Sequence, residues 1–209
     1  MKNKVIALII LISVFIVNDL FFIRVKTWQG FLAVDYCTRL IAIAVITCLL
    51  ISRTCTFSDL GYRKMGIKSF LAWSAFLCVT GIIIDHYGWD FFIKILPDTS
   101  LFKFPRMENR FVRMFDLSIG MITVSLTEET VFRGYFFHVA KNYIKNPALL
   151  VIASAITFGV IHWSLGVDAI IMTALWSILP MLSVIKTGSI APAIIAHYVT
   201  DLMYFVPSK

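Results

Sequence analysis

The chain has 209 residues, 59% of them hydrophobic, with a formal net charge of +7 and a mean hydropathy of +0.87. Soluble domains are ordinarily ~45–50% apolar, so too little polar surface remains to cover a water-facing globule. The composition is that of an all-α polytopic membrane protein. Its 19 Lys and Arg residues are scattered between apolar runs. That fits attraction to anionic lipid headgroups and forms no basic stripe of the kind that binds nucleic acid.

A membrane helix needs ~20 apolar residues, and the sequence offers seven candidate spans, approximately Val5–Ile23, Phe31–Ser52, Ser69–Asp85, Phe115–Val139, Ala148–Trp163, Val167–Ile185 and Ile190–Val206. The N-terminal stretch has the basic start and apolar run of a signal peptide, but no small-x-small cleavage site follows, so a retained first helix is expected. Asp19, Asp35 and Arg39 fall in the first two spans, and their polar faces should point at protein or at the interface. Arg53–Lys68 reads as an aqueous loop. His86–Met114 is broken by Pro97 and Pro105 and reads as a loop with a surface-lying amphipathic piece. Pro180 should kink the sixth span. The four cysteines, Cys37, Cys48, Cys55 and Cys78, have no CxxC spacing and read as packing residues. Basic residues divide almost evenly between the two sides, so orientation is undetermined. The expected architecture is one membrane domain over 1–209, a bundle of about seven spans around a polar intramembrane cavity.

The ionisable residues of the later spans carry the functional reading. In SLTEETVFRGYFFH, Ser125 to His138, two carboxylates and a guanidinium sit inside an apolar run, where each costs ~2.5–3.5 kcal/mol on insertion scales. Glu129 and Arg133 are i, i+4 and can pair on one face. Glu128 is turned about 100° from Glu129, which leaves it free for chemistry as a general base. Phe158 with His162, and His197 with Asp201, repeat the i, i+4 spacing. Taken singly, each group has a structural reading: an ion pair, an interfacial imidazole, a helix–helix hydrogen bond. Asp116 and Asp168 read as helix borders and His138 as interfacial. Three separate spans with such costly groups argue for one shared wet pocket.

The motifs resemble those of a known family. EETVFR (Glu128–Arg133) matches E-E-x-x-x-R, FGVIH (Phe158–His162) matches F-x-x-x-H, and HYVTD (His197–Asp201) matches H-x-x-x-[N/D], in the family's order. The set resembles the CPBP family of intramembrane proteases, also called the CAAX-protease, bacteriocin-processing or Abi family, with the Ras-converting prenyl-protein endopeptidase among its relatives. The resemblance covers a core at about 117–206. It implies an intramembrane endopeptidase acting on a membrane-associated peptide or protein, in a bacterial cytoplasmic membrane given the Phe132-Arg133-Gly134 extension. It also implies roles: Glu128 activates water, Glu129 and Arg133 brace it, His162 helps hold the water, and His197 and Asp201 occupy the oxyanion-stabilising positions. Asp201 departs from the Asn of well-studied relatives, and an ionised Asp cannot donate to an oxyanion. The resemblance also leaves open a zinc site of Glu128, His162 and His197, or a metal-free reaction. Some members are held to act without catalysis, as bacteriocin-immunity or scaffold proteins, and a proton-coupled carrier is a further reading of intramembrane acids.

Overall fold

In hydrocarbon, every backbone N–H and C=O must be satisfied within the chain, so apolar runs become helices. The computed structural model describes residues 2–206. Its helices are α1 (Lys2–Phe22), α2 (Trp28–Ile51), α3 (Ile67–Ile95), α4 (110–140), α5 (Pro147–Val160), α6 (Val167–Thr187) and α7 (Ala191–Phe205). Helix α4 is continuous but contains two π-helical stretches, Asp116–Gly120 and Thr130–Tyr135. Local chemistry fixes the ends. The Asn146 side chain accepts from the N–H groups of Ala148 and Leu149, with Pro147 at the first helical position of α5. Gly188, at φ 72°, ends α6 in the left-handed region.

The bundle is polar inside and apolar outside. Leu40, Ile51 and Ile93 are 64%, 77% and 64% exposed, whereas Asp35, Arg39, Glu128, Glu129 and Arg133 are buried. A lipid-facing exterior explains both observations, because lipid tails solvate Leu and Ile without cost. Helices α1, α2, α3 and α6 are long and apolar enough to cross a bilayer, and α5 is a shorter apolar helix of 14 residues. Helix α5 packs along α6, α3 against α7 and α6, α1 along α2, and the middle of α4 against α7. The α4 approach to the loop before α3 depends on Gly134, because a Cβ there would collide with the Leu60 carbonyl.

Four expectations need correction. Helix α3 runs ten residues past Asp85: the Trp89 indole N–H donates to the Asp85 carboxylate one turn back at 3.0 Å, so the polar residues that broke the apolar run are accommodated in helix. The fifth helix stops at Val160 and His162 sits in the following turn, with φ −103°. Asp116 is not a helix border; it lies within α4, 4% exposed, and accepts the Tyr36 hydroxyl at 2.7 Å. The segment 53–66 is also less aqueous than expected, since Leu60 and Cys55 dip into the core. Helix α6 runs through Pro180 from Val167 to Thr187.

The chain after α3 closes over one end of the bundle. Phe102 is buried and stacks on Phe22 of α1 and Phe31 of α2, at 5.0 and 6.0 Å between ring centroids. The N–H groups of Leu101 and Phe102 both donate to the Ser164 carbonyl at 2.8 and 3.0 Å. The side-chain hydroxyl and backbone N–H of Ser100, then Lys103, hold the exposed Asp98 carboxyl down to about 2, which keeps this loop's turn ionically tied.

Candidate active site

The i, i+4 spacing of Glu129 and Arg133 survives at the junction of α-helix and π-helix. Arg133 Nη1 stands 3.1 Å from Glu129 Oε1, with both side chains fully buried. The guanidinium lies over Phe158, with Cζ 3.9 Å from the ring centroid and 5.2 Å from that of Trp176. Stacking of a desolvated cation on aromatic faces is worth ~2 kcal/mol or more. Glu129 also reaches α7: His197 Nδ1–H donates to Glu129 Oε1 at 2.8 Å. An ionised carboxylate only accepts, so this bond places the proton on Nδ1 and presents Nε2 on the other side of the ring.

That other side meets Glu128 and Asp201. His197 Nε2 is 3.8 Å from Glu128 Oε2 and 3.5 Å from Asp201 Oδ2. Both exceed an ordinary N–H···O length, so the three groups are neighbours around a gap. The two adjacent carboxylates thus approach the same imidazole from opposite edges, despite the rotation between them. His162 joins from the turn after α5, where its Nδ1–H donates to the Phe158 carbonyl at 2.9 Å and leaves Nε2 as an acceptor. Its ring packs edge-on to Phe158 at 5.0 Å.

These groups line one cavity of about 1520 Å³. Glu128, His162, His197 and Asp201 are all on its wall, and Glu129 and Arg133 are sealed behind them. The remaining wall mixes apolar residues, Phe15, Ile84, Trp89, Met121 and Trp176 among them, with ionisable ones such as Asp35, Arg39, Asp85 and Asp116.

Three further side chains at the site escape the sequence reading. Arg39 of α2 places Nη1 2.7 Å from Glu128 Oε1, so Glu128 does not stand free. Asp35, one turn back, holds Arg39 Nη2 at 2.9 Å. Asp19 of α1 accepts the Ser164 N–H at 2.9 Å, and the Trp163 indole donates to the Ile16 carbonyl at 3.2 Å. Helix α1 therefore anchors the turn that carries His162. The spacing of Asp35 and Arg39, i, i+4 like that of Glu129 and Arg133, is the signal that could have found them. His138 lies away from the cavity, with Lys4 Nζ donating to its Nε2 at 2.8 Å and Asp59 3.3 Å from its Nδ1.

The donors proposed for zinc are of a suitable kind, and each imidazole has its Nδ1 hydrogen-bonded as metal-ligating histidines commonly do. Their spacing does not suit a metal. Among the described residues, no three His, Cys, Asp or Glu side chains stand close enough to hold one ion.

Residues 110–203, just under half of the chain, match the family model described as type II CAAX prenyl endopeptidase Rce1-like. The match spans α4 to α7 and contains every motif residue at the cavity wall, and it supports a membrane-embedded protease at the level of the family. No curated protein and no solved structure matches the chain.

Proposed function

On the premise that the 110–203 segment is of the type II CAAX prenyl endopeptidase Rce1-like family, we propose that the protein is an intramembrane endopeptidase. It hydrolyses a peptide bond in a membrane-associated peptide or protein by a water that Glu128 activates. The observation that carries this reading is the convergence of Glu128, His162, His197 and Asp201, from three separate elements, on one cavity wall.

Glu128 Oε2 is the base. It takes a proton from water as the water oxygen bonds to the scissile carbonyl carbon, and the carbonyl π electrons move to oxygen. The His162 Nε2 acceptor and the His197 ring orient the water between them. The same proton then passes from Glu128 to the leaving nitrogen as the C–N bond breaks, giving a carboxylic acid and an amine. His197 Nε2 donates to the oxyanion when the ring is protonated, and Asp201 Oδ2 stands 3.5 Å from that nitrogen. Asp201 thus acts through the imidazole, which suits an acid where a neutral donor would otherwise contact the oxyanion.

The test is a comparison of purified wild type with Glu128→Gln in proteoliposomes, using quenched fluorogenic peptides that carry a hydrophobic anchor. The variant keeps the side chain's shape and removes the base. Hydrolysis should fall by at least the ~10²–10⁴-fold attributed to a positioned general base, with monodispersity and melting checked alongside. Undiminished cleavage by the variant overturns the mechanism. Peptide binding without cleavage by either protein favours an immunity or scaffold role.

A further inference from the structure

Helix α2 lies outside the segment that matches the family model, yet it supplies the closest contact made to Glu128. Arg39 is buried, 6% exposed, and lines the cavity. A lone guanidinium there would be expensive to bury, and charge pairing is what makes it tolerable. Asp35 Oδ1 on one side and Glu128 Oε1 on the other, at 2.9 and 2.7 Å, form a chain of alternating charge across α2 and α4. Phe15 of α1 packs on the guanidinium, 5.1 Å from ring centroid to Cζ.

The consequence for Glu128 is an asymmetry between its two oxygens. Oε1 is in ion-pair contact with Arg39 Nη1. Oε2 is buried, makes no hydrogen bond to any described residue and is the oxygen nearer His197. We propose that Arg39, itself held in place by Asp35, is a positioning residue for the hydrolysis. By holding Oε1 in ion-pair contact at 2.7 Å it leaves Oε2 as the atom that takes the proton from water. This rests on the reading of Glu128 as the base. An ion pair that only tied α2 to α4 would need the charges and no particular orientation. A selector of one oxygen needs the fork of Arg, with one arm on each carboxylate, which the point charge of Lys cannot reproduce.

The experiment uses the full-length protein in proteoliposomes and the fluorogenic anchored peptide that wild type cleaves. Arg39→Ala should lower kcat by about 10²-fold, the scale of a misplaced reacting group, with KM nearly unchanged, because the lost interaction acts on the reacting atoms. Added guanidinium ion should enter the vacated space from the cavity and restore kcat at least about tenfold, a gain that ammonium at equal ionic strength does not give. A loss confined to KM, or no recovery with guanidinium, overturns the proposal. Should Arg39→Ala not fold, Arg39→Lys decides the matter. It keeps the charge and should still lose about tenfold in kcat, and wild-type kcat in that variant overturns the proposal. The two readings fail differently. Activity in Glu128→Gln removes the base itself. An inert Glu128→Gln beside fully active Arg39 variants removes only the positioning role.

Discussion

Replacing Glu129 by Ala tests whether the sealed pair behind the cavity holds up the site. The side chain is fully buried and pairs with Arg133 at 3.1 Å and His197 at 2.8 Å. Removing one member of a buried ion pair strands the other charge and costs ~3–5 kcal/mol. The aromatic stack of Phe158 and Trp176 on Arg133 offsets part of that, so the lower half of the range is expected. For a chain of this size each kcal/mol moves the midpoint by ~2–4 °C, which gives a drop of roughly 6–16 °C for about 3–4 kcal/mol. Thermal denaturation in detergent, followed by tryptophan fluorescence, reads it directly. The double variant Glu129→Gln with Arg133→Met removes both charges at similar volume and should regain most of the lost stability, but not activity, because His197 loses its anionic partner. A Glu129→Ala protein that melts with wild type would refute the reasoning, as would a double variant less stable than the single one.

Two other variants probe the scaffold. Gly134→Val should destabilise by at least the ~1–3 kcal/mol of an overpacked contact, because its Cβ meets the Leu60 carbonyl, and protease sensitivity of segment 53–66 should rise with it. Asp19→Ala leaves the buried Ser164 N–H without its acceptor, a cost of ~1–3 kcal/mol. It should lower peptide hydrolysis through the His162 turn while Glu128 stays in place, and comparison of melting with hydrolysis in the same preparation checks this.

The helices were legible because each is an apolar run, four of them long enough to span, and lipid exposure removes any need for a polar outer face. Boundaries failed where the physics is local. The α3 extension depends on the Trp89–Asp85 bond within the helix, which a hydropathy reading takes as a break. The candidate site was legible where i, i+4 spacing puts two groups on one face, as for Glu129 with Arg133 and His197 with Asp201. The freedom assigned to Glu128 was not, because its partner Arg39 comes from a different helix far away in sequence. Helical phase reports which side of its own helix a residue occupies and is silent on what the facing helix brings. Asp116 shows the same limit, since its partner Tyr36 is on α2.

The ties from α1 and α2 bear on how the chain may be divided. The motif-bearing C-terminal stretch holds Glu128, His162 and His197, whereas the counter-cation for the first and the tether for the second come from Arg39 and Asp19. A fragment cut down to the motifs would hold an unbalanced carboxylate and an untethered imidazole, so its inactivity would say nothing against the motifs. Two co-expressed pieces severed in the strap between α3 and α4 keep every one of these ties available, since each joins side chains or turns on opposite sides of the break.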